Sequence, residues 1–242
     1  DVIGGVGTKP VDALSPKKAI TLVLVGTHCS GKSTISKRLA EILEWPLDPE
    51  LGDILRDKEQ LMAGGHTVGD GSGIENREST RSWDEQILEG ECARDRSRSG
   101  IHRIVETHHF GNLAWAGLRK HSTTMDSMEE LCQPYRQAIE GARDHSLLVV
   151  VSLKIDVETA LRRRSNDATN RLRLPFTNEE MECTSLHTAL QTEGLKLMRN
   201  IKPDGVPFLE IDNSVDGKEG MEQTLQLILE FLNKNRWLLC RK

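Results

Sequence analysis

Aromatic side chains are scarce, at 4% of 242 residues with a single tyrosine. Stacking platforms for single-stranded nucleic acid need more than that, and so does an aromatic-rich β-sandwich. Basic charge is not in surplus either. The 32 Lys and Arg residues face 37 Asp and Glu, a formal net charge of −5. That excludes a polyanion-binding surface over the whole molecule, so long nucleic acid is not an expected partner and any bound anion is held by a few placed groups. Apolar runs stay well short of the ~18 residues that span a membrane. Paired cysteines are missing as well. Cys29, Cys92, Cys132, Cys183 and Cys240 are odd in number and none has CxxC spacing. This argues against a disulfide framework or a zinc site and for a reducing intracellular compartment, the cytoplasm first and the mitochondrial matrix second. The chain begins at Asp1 without a Met, as a processed product would.

What is present is a hydrophobic content of 37%, enough for a core of ordinary size. Residues 1–18 hold Gly4, Gly5, Gly7, Pro10 and Pro16 with little periodicity and read as a flexible N-terminal arm. Residues 19–242 read as a single domain without internal repeats. Ala19 to Val25 is a short apolar run ending at Gly26, the pattern of a strand buried on both faces. Ile35, Leu39, Ile42 and Leu43 then mark an amphipathic helix. A helix is expected from about Gly52 to Met62, and a long Gly- and Ser-rich loop over 64–82. A charged helix over 83–98 follows, then a strand from Ile101 to Glu106. Ser127 and Glu130 form a capping box for the next helix. Ser146 to Leu153 is the clearest buried strand, and Asp156 can cap the helix after it. Thr177 and Glu180 form a second capping box, opening a helix to about Met198. A last strand spans Pro207 to Ile211, and a closing helix carries Met221, Leu225, Ile228 and Leu232. Alternating strands and helices predict an α/β fold, a five-stranded parallel sheet with helices on both faces.

Gly26-Thr27-His28-Cys29-Ser30-Gly31-Lys32-Ser33-Thr34 matches GxxxxGK[ST]. It follows a buried strand and opens a helix, the context its mechanism requires. The glycines let backbone N–H groups approach an anion at a helix N-terminus. Lys32 can reach the β- and γ-phosphates, and the Ser33 hydroxyl can ligate Mg²⁺. Cys29, at the same helix start, either fills the loop or is a reactive thiol.

These residues resemble the P-loop NTPase superfamily. GTPase branches offer NKxD after a strand, whereas Asn233-Lys234-Asn235-Arg236 lacks the Asp. The layout is similar to nucleoside and nucleotide kinases of the thymidylate and deoxynucleoside kinase type over about residues 19–233. The resemblance implies a P-loop kinase fold that uses ATP and Mg²⁺ to phosphorylate a small acceptor. It places an acid after the second strand, here Glu50, beside the acceptor hydroxyl. A solvated acid capping the next helix would read the same way. Arg56 would hold an acceptor phosphate or be a solvated helix arginine. Glu106, ending the third strand, would position Mg²⁺. The family commonly follows that acid with an arginine that contacts substrate; here Thr107 stands there, which argues against ordinary thymidylate or deoxynucleoside specificity. His108 would contact substrate, or with His109 form a polar loop pair. Arg162, Arg163, Arg164, Arg171 and Arg173 fall in the family's lid, about 162–176, where Arg164 and Arg171 would neutralise the transferring phosphoryl group. The segment ending Ile211-Asp212-Asn213-Ser214 would lie beside the adenine. A nucleotide-binding subunit of a larger assembly and a polynucleotide-end kinase are the competing readings, and a homodimer is compatible with the sequence.

Overall fold

The computed structural model describes residues 18–27, 29–52, 54–55, 77–121, 128–166 and 190–239. Its strands are β1 (Ile20–Gly26), β2 (Leu47–Asp48), β3 (Arg103–Glu106), β4 (Leu147–Lys154) and β5 (Phe208–Asp212). They form one sheet in the order β2-β3-β1-β4-β5, and every pairing is parallel. The helices are α1 (Lys32–Leu43), α2 (Arg77–Ser97), α3 (His108–His121), α4 (Met128–His145), α5 (Val157–Asn166), α6 (Leu195–Ile201) and α7 (Gly217–Leu239). A π-helical turn, Leu190–Gly194, leads into α6.

Period-two alternation along β1 sorts the core into two layers. Leu22 and Leu24 pack with Ile35 and Leu39 of α1 and Leu225, Ile228 and Leu232 of α7. Val23 and Val25 face the other way, against Phe110 and Leu113 of α3, Tyr135 and Ile139 of α4, and Leu195 and Met198. Covering both faces explains why β1 and β4 read as continuous apolar runs. Each such side chain contributes about 1.5–3 kcal/mol by burial.

Several elements differ from the sequence expectation. The helix predicted to begin at Trp83 begins at Arg77, so residues 77–82 of the predicted loop are helical. Residues 108–121, where a loop pair of histidines was one reading, form helix α3. Helical backbone occurs at 51–52 and 54–55; the rest of the predicted 52–62 helix, both capping-box serine and threonine positions, and the N-terminal arm lie outside the described residues. Asp156 caps α5 as expected, its Oδ1 accepting from the Thr159 amide at 2.7 Å. Three acceptor contacts, the backbone amide of Thr159 first, hold the Asp156 carboxyl down at about 2. No helix among the described residues is long and apolar enough to cross a membrane.

The order of the strands positions the site. β1 is followed by α1 on one face of the sheet, and its neighbour β3 is followed by α3 on the other. The connections therefore part between β1 and β3, and a crevice opens beyond their carboxyl ends.

Candidate active site

Register brings the strand ends level. Leu24 of β1 pairs with Glu106, and the amide of Thr107 donates to the Leu24 carbonyl at 2.8 Å. Asp48 of β2 pairs with Val105, so Glu50, two residues on, comes level with Thr107. Gly26 ends β1 opposite Leu153 of β4. A Cβ at Gly26 would stand 2.7 Å from the Leu153 carbonyl oxygen and 2.6 Å from Ser30 Oγ, so only glycine fits there. Gly31 has φ +88, and a Cβ there would meet Asn213 Nδ2 at 2.7 Å. That amide donates to the Ser30 carbonyl at 2.7 Å, and its oxygen accepts from Thr224 at 2.8 Å. The loop after β1 is thus tied to the end of β5. His28 lies outside the described residues.

Lys32 and Ser33 occupy the first turn of α1, pointed at the ends of β2 and β3. Lys32 Nζ lies 3.7 Å from Glu50 Oε2. Thr107 Oγ1 donates to the same Glu50 oxygen at 2.8 Å. The Ser33 hydroxyl donates to Glu106 Oε2 at 2.9 Å, and the Ser36 hydroxyl donates to Oε1. Glu106 is buried, and each of its oxygens takes a hydroxyl donor. The donor set of Ser33 Oγ and the Glu106 carboxylate is all hard oxygen, which suits Mg²⁺ rather than a softer metal. Thr27 Oγ1 and Ser30 Oγ are buried without a hydrogen-bond partner among the described residues. Orphaned hydroxyls in a cradle of required glycines fit a loop that receives a polar ligand.

A second layer lies beneath. The buried face of α2 is Ile87, Glu91 and Asp95, an i, i+4, i+8 stripe carrying two acids where apolar residues are usual. Asp95 receives Arg103 of β3 on Oδ1. His108 Nε2 lies 3.1 Å from Oδ1 and His109 Nε2 lies 2.9 Å from Oδ2. Arg103 also donates to Asp48 Oδ2 at 3.0 Å and to Thr21 Oγ1 at 3.2 Å. Arg94 donates to the carbonyl of Pro49, next to Glu50, at 2.9 Å. Burial alone would raise the Asp95 carboxyl, but His108 and His109 beside it hold it well below the usual carboxylate range. Burial pushes His109 down to about 4, and burial pushes the Glu91 carboxyl up. Asp95, His108 and His109 bring ligand atoms within 4.8 Å of one another. The Arg103 guanidinium on the same carboxylate opposes a dication there, and three N–H donors already satisfy the acid.

The structure therefore gathers Gly26, Thr27, Cys29, Ser30, Gly31, Lys32, Ser33 and Thr34 with Glu50 and Glu106. It places His108, expected to touch substrate, fully buried with Nε2 turned to Asp95. Arg56 and Arg171 lie outside the described residues, and Arg164 is described only as backbone of α5. Of the arginine run, Arg162 and Arg163 both pair with Asp216, which the two hydrogen bonds hold below its ordinary range. Arg163 also donates to the carbonyls of Cys29 at 3.3 Å and Asn213 at 2.8 Å, fastening α5 to the loop. The sequence did not point to Asp95, Glu91, Arg94, Arg103 or Thr107's bond to Glu50.

No family model matches the chain, and no curated protein sequence matches it. Among solved structures, deoxyadenosine kinase from M. mycoides with bound dATP is similar at TM-score 0.61 and 14% identity, covering 88% of this chain and 99% of that one. The same enzyme with the products dCMP and dCDP gives TM-score 0.53 and 17% identity, covering 88% and 99%. Shikimate kinase from Acinetobacter baumannii, in complex with shikimate, gives TM-score 0.50 and 17% identity, covering 90% and 96%. The fold is that of the P-loop nucleoside and nucleotide kinases.

Proposed function

We propose that this chain is an ATP- and Mg²⁺-dependent small-molecule kinase that transfers the γ-phosphoryl group to a hydroxyl or phosphate acceptor, a nucleoside or nucleotide in the first instance. The observation that carries the reading is the meeting of Lys32, Ser33, Glu50 and Glu106 at the carboxyl ends of β1, β2 and β3. Phosphoryl transfer needs positioning and charge neutralisation more than covalent chemistry. The loop from Gly26 to Thr34 offers N–H groups to the phosphates at the start of α1. Lys32 supplies a fixed positive charge, held at present by Glu50, that can turn to the β- and γ-phosphates. Ser33 and Glu106 would hold Mg²⁺, which would supply positive charge against that developing on the phosphoryl group. Glu50, oriented by Thr107, accepts or orients the proton of the attacking hydroxyl. The lid arginines, Arg164 and Arg171, would add positive charge at the transferring group.

The two kinases that share the fold act on acceptors as different as a deoxynucleoside and shikimate, so the fold does not select the acceptor. The resemblance of the strand-end acids Glu50 and Glu106 to those of nucleoside and nucleotide kinases supports a nucleoside or nucleotide as the first acceptor to test. Isothermal calorimetry with Mg·ATP, and phosphorylation of a panel of nucleosides and nucleotides, test the reading. Lys32→Ala is expected to abolish turnover. Unchanged turnover in that variant would overturn the assignment, and Mg·ATP binding without turnover on any acceptor would favour a nucleotide-binding scaffold.

A further inference from the structure

Thr107 and His108 are consecutive non-glycine residues with φ of 70° and 49°. A β-branched residue in that region is a genuine outlier, and such backbone persists only where its surroundings over-determine it. The constraints are visible on both sides. Before the kink, the Thr107 amide is fixed on the Leu24 carbonyl. After it, the Gly111 amide donates to the Thr107 carbonyl at 2.8 Å. A Cβ at Gly111 would lie 2.7 Å from Thr107 Cγ2, so the missing side chain seats the threonine methyl. With the methyl seated there, Thr107 Oγ1 points to Glu50 and donates at 2.8 Å.

The anchor of the kink is Asp95. Both imidazoles turn Nε2 to its carboxylate, which as an acceptor requires the proton on each Nε2. Both Nδ1 atoms are buried, and neither has a hydrogen-bond partner among the described residues. Unpaired buried polar atoms are unfavourable, and an apolar pair would fill the same space without them. The charged groups around the anchor are Glu91 and Arg94 of α2, Arg103 of β3 and Asp48 of β2. Arg103 donates to Asp95 Oδ1, the oxygen that also faces His108 Nε2, and Asp48 and Thr21 fix Arg103 in turn.

We propose that Asp95 is a positioning residue for phosphoryl transfer, acting through His108 and His109 to hold the strained Thr107, whose hydroxyl orients Glu50. This inference rests on the kinase reading above. Neither Asp95 nor the histidines touches a reacting atom in it; they fix the residue that fixes the base.

The test uses the full chain with Mg·ATP and whichever panel acceptor gives turnover, water included. Asp95→Asn and Thr107→Val are each expected to lower kcat by about 10²-fold, with KM for Mg·ATP changed by less than about twofold. The double variant is expected to lose no more than the larger single loss, because both act on one contact. Thr107→Ser, which keeps the hydroxyl, is expected to restore most of kcat. Losses that multiply in the double variant, or a kcat that stays within about threefold of wild type in Asp95→Asn, would overturn the proposal. Should Asp95→Asn fail to fold, His109→Gln and His109→Leu decide. Glutamine keeps an N–H donor toward Asp95 and is expected to retain kcat, whereas leucine loses it. Equal kcat in the two would refute the positioning role. Calorimetry separates the two failures: a wild-type chain that does not bind Mg·ATP sinks the kinase reading and this inference with it. Binding and turnover that ignore Asp95 sink this inference alone.

Discussion

Replacing Arg103 by methionine keeps most of the aliphatic stem and deletes the guanidinium, so it isolates the charge in the knot beneath the site. Arg103 is fully buried and contacts two acids, Asp48 at 3.0 Å and Asp95, with Thr21 Oγ1 at 3.2 Å. Removing one partner of a buried ion pair typically costs 3–5 kcal/mol, because an uncompensated charge is left behind. The partners that remain decide where in that range the variant falls. Asp95 keeps the two imidazole donors. Asp48 keeps Arg98 at 3.5 Å, whose side chain is 45% exposed and therefore screened. The expected loss is about 3–4 kcal/mol, or roughly 6–16 °C in Tm for a chain of this size.

Urea unfolding followed by tryptophan fluorescence at pH 7.5 and pH 5 measures it. The two pH values test the cause as well as the size. With Arg103 gone, the buried carboxylates favour their protonated forms in the fold, so the folded variant binds more protons than folded wild type. Its deficit must narrow as pH falls toward the carboxylate range. A loss below about 1 kcal/mol would refute the reasoning. So would a deficit that is the same at both pH values, since that would trace the effect to packing volume.

Gly31→Ala combines a left-handed φ of +88° with a Cβ at 2.7 Å from Asn213 Nδ2. It should break the Asn213–Ser30 bond, lower stability by about 1–3 kcal/mol and abolish the thermal shift that Mg·ATP gives wild type. An unchanged ligand-induced shift would contradict the assigned role of the loop. Glu106→Gln should raise the Mg²⁺ concentration needed for half-maximal ATP binding by about 10-fold or more, measured by calorimetric titration at fixed ATP. An unaltered Mg²⁺ dependence would remove Glu106 from the metal site. His109 stands at about 4 in the fold against 6.5 unfolded, so its neutral form is the one the fold favours. Its contribution is complete above pH 6.5 and is lost as pH falls from 6.5 through 4, reaching about 3 kcal/mol. Glu91, raised by burial, works in the opposite sense, stabilising at low pH and losing that as pH rises. His109→Gln removes only the first effect, so its urea midpoint should fall less than wild type's between pH 7 and pH 4.5. Parallel slopes would refute it.

The parts of this molecule legible in its sequence are those whose signals are local. GxxxxGK[ST] sits within nine residues between a buried strand and a helix, and the apolar runs of β1 and β4 announce a sheet covered on both faces. Glu50 and Glu106 were placed by the resemblance to nucleoside and nucleotide kinases, which sets an acid after the second and third strands. The knot beneath them obeys the opposite rule. On α2 the core-facing positions after Ile87 are Glu91 and Asp95, so a reading based on apolar periodicity assigns that stripe to solvent. Arg103 falls within the predicted Ile101–Glu106 strand and reads as a charge on its wet face, yet it is buried among three polar partners, Thr21, Asp48 and Asp95. The two histidines read as a loop pair because nothing nearby in the chain supplies their acceptor; Asp95 is 13 and 14 residues away, on another element.

The inversion itself was visible, however. A helix whose stripe runs Ile87, Glu91, Asp95 puts acids at i+4 and i+8 from its apolar residue, so that part of the stripe must either stand in water or meet buried donors. The donors were also in the sequence, as an arginine and two histidines bracketing the strand that ends in Glu106. Acids on a helix facing bases around a strand end form a complementary set. Such a set is tolerated inside a protein only if every charge meets its partner. That requirement makes the knot rigid, and a rigid support is what a strained turn carrying Thr107 needs in order to hold Glu50 in one orientation.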